Sequence, residues 1–287
     1  MVLMTVLPAL TLMLFLNLTP IIWSVAAGFN EIGTYDPTWT WVGLENYQRL
    51  VESPGFYESM VTGVIFTGAS ILVQLVLGTG LALLVNRAKR LKSLTRTVLL
   101  VPYLIPTAVL AYMGLWMNNS TWGITNQMFV QAGLIESFIP WYGLPKYAMP
   151  AVVATFSWKY TAFVTILVLA KLQSIPDTFY EAAKISGAST YQAFRDITLP
   201  NLKSVIFIVL LLRSVWTFNK FDIIWILTRG GPGTSTTTPP VYAFELGFQR
   251  GSLGLAAATS VALFAILSIV AVIYFLTLSP EEEVTLR

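Results

Sequence analysis

The sequence contains no cysteine and no histidine. Without cysteine there is no disulfide, thiolate metal site or sulfur nucleophile. Without histidine the commonest general base and metal ligand is missing. Charge is scarce as well. Asp, Glu, Lys and Arg make up 11% of the 287 residues, against 55% hydrophobic residues. A soluble domain carries about 25% charged residues, so this chain cannot cover a globular surface. With a mean hydropathy of +0.70, the composition points to a polytopic membrane protein with short loops. The chain also lacks a Gly-x-x-x-x-Gly-Lys-Ser/Thr phosphate loop, and Arg229-Gly230-Gly231-Pro232 is not one. The spans hold no paired acids. No catalytic residue, metal site or bound cofactor is therefore expected, and an intramembrane enzyme is disfavoured.

What is present is a series of apolar runs. Six spans are expected, at about 3–28, 60–85, 97–117, 147–172, 203–227 and 253–278, in one all-α transmembrane domain over 1–287. Ser24-Val25-Ala26 has the look of a signal-peptide cleavage site. No Lys or Arg precedes the first run, however, and the run is longer than a signal core, so a retained helix is expected. Gly43 to Tyr47 reads as a turn into a short amphipathic helix. Gly63, Gly68, Gly78 and Gly80 in span two suit close helix packing, as does the small-residue start of span six, Gly254 to Ser260. Pro102 and Pro106 lie near the start of span three.

Charge placement sets the orientation. Asn86 to Arg96 holds Arg87, Lys89, Arg90, Lys92 and Arg96 with no acid. By the positive-inside rule this loop is cytoplasmic. Anionic lipid binding is a secondary use for it, and one short basic loop is no surface for nucleic acid. Six spans then put both termini inside, with the tail Glu281-Glu282-Glu283 in solvent. The polar island 173–202 also falls inside, and the external loops hold only Arg49, Lys146, Arg229 and Arg250. Span five differs from the others in carrying Arg213, Asn219, Lys220 and Asp222. Intramembrane charge is costly and faces a cavity, a partner or the interface. Arg213 is placed in the cytoplasmic half as a gate or interface residue, and Lys220 and Asp222 on different helix faces.

The island has helix punctuation. Ser174 and Asp177 offer N-cap oxygens around Pro176. Thr178 to Ser186 has no breaker, and Gly187 supplies a positive φ. Ser189-Thr190-Tyr191-Gln192 has capping-box spacing for a second short helix, and Pro200 stands where span five begins. The expectation is helix, glycine turn, helix across the mouth of spans four and five. Its contact surface is Phe179, Ala182, Ala183 and Ala188, with one charge from Glu181. Spacing alone leaves two readings open, an interfacial loop helix or a docking element for a cytoplasmic protein.

Glu181-Ala182-Ala183, three residues, Gly187, nine residues, Ile197, one residue and Leu199-Pro200 resembles the EAA loop of ABC importer permeases. Ser186 stands where that loop usually has Asp. Trp216 to Asp222, Leu227 to Pro232 and Thr236-Thr237-Thr238 resemble the fifth core helix and following loop of the carbohydrate-uptake subfamily, in its maltose-type and glycerol-3-phosphate-type first subunit. The likeness runs from Pro20 to span six, and the chain is similar to the shorter six-helix members. It implies the type I importer fold, an inner-membrane location, a heterodimer with a second permease, an ATPase dimer docked on 173–202 and an extracytoplasmic sugar-binding protein. ATP and Mg²⁺ belong to the ATPases. Glu181, Ala182, Ala183 and Gly187 are the implied coupling residues.

The same resemblance places sugar contacts at Phe156, Lys159, Tyr160 and Phe163 on span four and at Val215, Phe218 and Asn219 on span five. The span-four set has i, i+3, i+4, i+7 spacing and shares a helix face. Aromatic rings stack on pyranoses, and amide or ammonium groups bond hydroxyls. The alternative is that the aromatics face lipid or pack and that Lys159 snorkels. The expected solute is a di- or oligosaccharide such as trehalose or maltose, with glycerol-3-phosphate or another polyol as the alternative. A lone ion-coupled carrier lacks the inverted repeat and paired midplane carboxylates it would need.

Overall fold

The computed structural model describes residues 2–87 and 92–278. Lys89 and Arg90 of the basic loop and the tail Glu281-Glu282-Glu283 lie outside the described residues. The described residues are mostly helical. Among the described residues, five helices are long and apolar enough to cross a membrane, and a bent pair makes six.

In chain order, α1 (Val2–Gly28) leads to a short antiparallel ribbon of β1 (Asn30–Glu31) and β2 (Thr40–Trp41), then α2 (Glu45–Glu52) and α3 (Pro54–Arg87). Next come α4 (Lys92–Leu104), α5 (Thr107–Met117), α6 (Ile124–Gln131) and α7 (Pro145–Ser174). The island forms α8 (Asp177–Ile185) and α9 (Thr190–Ala193), and a π-helical turn, Phe194–Thr198, runs on into α10 (Leu199–Phe218). The chain continues through α11 (Asp222–Thr228), α12 (Pro239–Phe244), a second π turn, Glu245–Gln249, and α13 (Leu253–Leu278).

Two expected spans are broken. The stretch 97–117 is not one helix but α4 and α5, bent by 93°. Pro106 has no N–H to continue the ladder, and it pushes Ile105 out of helical geometry. The expected fifth span, 203–227, begins at Leu199 and breaks after Phe218. Asn219 takes φ −83° and ψ 7° there, and Lys220 donates its N–H to the Thr217 carbonyl at 3.0 Å. The break brings Lys220 Nζ to 3.4 Å from the Asp222 carboxylate, so the two residues pair across it rather than standing apart. Asp222 opens α11, where its negative charge suits the helix N-terminus. Arg229 ends α11 in the left-handed region at φ 51°. Thr236 pins the glycine-rich turn that follows, with its hydroxyl 3.0 Å from Gly231 O and 2.6 Å from the Thr228 hydroxyl.

The chain packs as two compact units. One contains residues up to Val61 together with Thr237–Val270. Here a Cβ on Gly254 would sit 2.0 Å from Asn30 O, and one on Gly28 would sit 3.2 Å from Ala258 Cα. The small-residue start of α13 thus lets these backbones meet. Buried Asn46 ties α2 to the ribbon by donating to Gly28 O at 3.1 Å and Asn30 O at 2.9 Å. In the π turn before α13, burial pushes the Glu245 carboxyl up, partly offset by Arg250 at 3.9 Å.

The other unit contains Thr62–Thr236 and the chain from Ala271 on. Its core joins Ala82 and Val85 of α3, Val164, Val168 and Leu172 of α7, and Leu202, Val205 and Val209 of α10. Gly78 makes α3 and α7 approach closely, since a Cβ there would lie 2.7 Å from Val164 Cβ. Gly68 and Gly80 face open space, so they are not packing glycines. Between α5 and α7, the buried Asn126 amide organises the loop. It accepts from Ile139 N at 3.1 Å and Trp141 Nε1 at 2.9 Å, and donates to Asn119 O and Ile139 O at 3.1 and 3.0 Å.

Candidate functional site

The island folds as helix, turn, helix. Pro176, not Ser174 or Asp177, occupies the N-cap of α8, and no side chain caps that end. Ser174 instead donates to Lys171 O at 2.8 Å. Gly187 closes the helix at φ 77°. Its N–H reaches Lys184 O at 3.1 Å and that of Ala188 reaches Ala183 O at 2.9 Å, which satisfies carbonyls a helix end leaves open. Ser186 Oγ bonds back to Ala182 O at 3.0 Å, strengthening the same end. The capping box of α9 is formed in both directions, between Ser189 and Gln192 at 2.7 and 3.3 Å. However, α9 is not a separate helix. It runs through the π turn into α10, and Pro200 sits at the second position of that helix. A proline ring clashes with the carbonyl four residues back, and a wider turn relieves the clash.

Burial divides the motif in two. Ile197 and Tyr180 pack on the core of α7 and α10, and the Tyr180 hydroxyl lies 3.0 Å from that of Thr198. These groups hold the island in place. Glu181, Ala182 and Gly187 are exposed and Ala183 is half-buried. Around them stand Ile185 at 88% exposure, Tyr191 at 70% and Phe179 at 52%. Among the described residues Glu181 has no ion pair. An anchored helix that shows large apolar side chains beside the Glu181 carboxylate is built as a contact face. Ile185 and Tyr191 were not singled out from sequence, because exposure at a helix end has no local signature.

A second feature lies in the same unit. A cavity of ≈ 360 Å³ is lined by Tyr103, Tyr160, Arg213, Val215, Trp216, Asn219 and Lys220. Its size suits a small polar solute. Of the seven residues expected on the path, Tyr160, Val215 and Asn219 line it. Phe156 is fully enclosed, with its ring 5.1 Å from Phe66 and 4.5 Å from Tyr160. Phe163 is not in the lining but contacts two residues that are, with its ring 6.1 Å from Tyr103 and 5.7 Å from Trp216. Phe218 is buried. Lys159 neither snorkels nor lines the cavity. Its ammonium donates to Ile105 O at 2.6 Å and Thr107 Oγ1 at 3.4 Å, satisfying the break between α4 and α5.

Arg213 is 1% exposed and lies nearer the C-terminal end of α10 than its start. It is enclosed rather than set at an exposed interface. Its Nε donates to Gln74 Oε1 at 2.9 Å, and its guanidinium lies 4.3 Å from the Tyr160 ring centroid. Tyr103, Trp216 and Gln74 are the members of this site that sequence reasoning missed. Gln74, the one side-chain amide in the apolar stretch 60–85, was the available signal.

Two broken spans, a cavity lined by aromatic rings, an amide and two cationic side chains, and an anchored contact helix are the features of a membrane transport subunit. Comparison with known proteins makes the class specific: the chain belongs to the binding-protein-dependent transport system inner membrane component family, which matches residues 74–279. It is 35% identical to the trehalose/maltose transport system permease protein MalF of Thermococcus litoralis, over 94% of this chain and 90% of that one. It is 34% identical to the sulfoquinovosyl glycerol transport system permease protein SmoG of Agrobacterium fabrum, over 81% and 75%. The fold matches a subunit of a bacterial ABC transporter involved in the import of the acidic polysaccharide alginate, with TM-score 0.82, 23% identity and coverage of 95% and 93%. The chain is thus a multi-pass ABC transporter permease, a transport subunit and not an enzyme.

Proposed function

We propose that this permease forms half of the translocation path of an ATP-driven importer for a carbohydrate, a di- or oligosaccharide such as trehalose or maltose. The observation that carries the sugar reading is the cavity. Rings from Tyr103, Tyr160 and Trp216 surround it beside the Asn219 amide. Rings stack on the apolar face of a pyranose, and an amide bonds its hydroxyls. The relatives named for trehalose, maltose and sulfoquinovosyl glycerol support the same class.

In this reading an external binding protein delivers the sugar and a second permease completes the path. Two ATPases bind ATP and Mg²⁺ and close on the exposed faces of α8 in the two permeases. Glu181 pairs with a basic group of the ATPase, Ala182 and Ala183 permit close approach, and Gly187 fixes the angle at which the chain leaves. Both termini and residues 173–202 face the cytoplasm of a cell whose inner membrane holds the complex. Arg213 and Lys220 favour a second solute, glycerol-3-phosphate or another anionic polyol, since they place positive charge at the cavity.

Uptake of labelled trehalose, maltose and glycerol-3-phosphate by the reconstituted complex separates these readings. The proposal expects ATP-dependent uptake of a disaccharide. Uptake of glycerol-3-phosphate alone would select the second solute, and uptake of none of the three would refute both.

A further inference from the structure

Three cationic groups surround one aromatic ring in the unit that holds the cavity. Arg213 Cζ, Lys159 Nζ and Lys220 Nζ lie 4.3, 5.3 and 5.8 Å from the centroid of Tyr160. Arg213, Lys220 and Tyr160 all line the cavity. The opposing charge is small. Asp222 is the one carboxylate in α4, α5, α7, α10, α11 and the part of α3 beyond Val61, and it stands 3.4 Å from Lys220.

The other two cations have neutral partners. Lys159 donates to a carbonyl and a hydroxyl. Arg213 donates to the Gln74 amide, and among the described residues no carboxylate lies within 4.0 Å of it. Rings and neutral oxygens satisfy the geometry of a cation without cancelling its charge. Arg213 Nη2 is enclosed and has no hydrogen-bond partner. The guanidinium therefore acts on the cavity through space rather than by gripping a carboxylate or phosphate. Between apolar helices such a field is weakly screened. An uncharged hydroxylated solute is little affected by it, whereas a cation is repelled. Asp222 is already paired with Lys220 and the chain has no histidine, and a hydronium ion, being a cation, meets the same repulsion.

We propose that Arg213, Lys220 and Lys159 form an electrostatic barrier that keeps inorganic cations and protons out of the solute path while a neutral sugar passes. The proposal rests on the reading that the cavity belongs to that path. A passage wide enough for a sugar ring is wide enough for hydrated ions, and fixed positive charge is a known way for a lining to reject them.

The test uses the complete importer in liposomes under an imposed potassium diffusion potential. It follows ²²Na⁺ entry, internal pH by a trapped dye and sugar-stimulated ATP hydrolysis in the same vesicles. The wild type is expected to stay as tight to Na⁺ and H⁺ as protein-free vesicles during turnover. Lys220→Glu and Arg213→Gln are each expected to raise cation flux about tenfold or more, the effect of removing a nearby charge in a weakly screened site. Lys220→Arg is expected to keep the seal. If Arg213→Gln does not assemble, Lys220→Glu decides alone, because its side chain is partly exposed at a helix break. A wild type that leaks, or charge-removing variants that remain tight while hydrolysing ATP, would overturn the barrier. Loss of sugar-stimulated hydrolysis in the wild type would count against the proposed function, while the flux under the imposed potential still decides the barrier.

Discussion

Lys159 illustrates how one side chain serves a helix other than its own. Pro106 interrupts the backbone ladder at Ile105, and a freed carbonyl in a membrane has no water to bond. The ammonium 2.6 Å away supplies the missing donor. The spacing of Phe156, Lys159, Tyr160 and Phe163 on one face was legible in the sequence. Which of the four meets the cavity was not, because that depends on where α4 breaks. Asn219 is the lining residue best suited to a sugar hydroxyl. Asn219→Ala is expected to raise the transport KM several-fold, with little change in ATPase association; an unchanged KM would remove it from the site. Asn126 has a different role. It makes four hydrogen bonds in a buried loop, so Asn126→Ala leaves buried groups unpaired. A loss of about 2–3 kcal/mol in unfolding free energy is expected from denaturation in detergent.

At the scale of elements, breaks and caps carry most of the information. Gly187 and the Ser189–Gln192 box could be read from residue type, since few residues tolerate φ 77° or reach back to a helix start. The bend at Pro106 had its proline but no way to show its angle. The break at Asn219 had neither proline nor glycine. It is set by tertiary packing, including the seating of α11 against α5, and so was invisible. The continuation of α9 into α10 was missed for a related reason: Pro200 looks like a start signal, and the π turn that accommodates it has no sequence signature. Glu181→Lys and Gly187→Pro should both insert normally and lose substrate-stimulated ATP hydrolysis. The first reverses the charge of Glu181 on the contact face. The second forbids the required φ and removes the N–H bonded to Lys184 O. Normal stimulation in both variants would end the coupling assignment. Gly78→Leu should prevent α3 from seating on α7 and reduce the yield of folded protein, measured by detergent size-exclusion profile.

For the whole molecule, scarcity of charge determined the solvent and left few residues for function. The apolar spans and the helix–turn form of the island followed from hydropathy and punctuation, while the breaks in the third and fifth spans did not. The division into two compact units did not, because two of its three boundaries fall inside the continuous helices α3 and α13. Nor did the burial of Arg213, which depends on Gln74 far away in sequence. In the proposed function this chain moves sugar only when ATPases drive it through the exposed face of α8. The most direct test is uptake of labelled trehalose or maltose by proteoliposomes containing both permeases and the binding protein, with and without the ATPase subunits. Uptake that requires the ATPases and ATP, and that disappears with Glu181→Lys, is the predicted result. Uptake that persists without the ATPases would contradict the account.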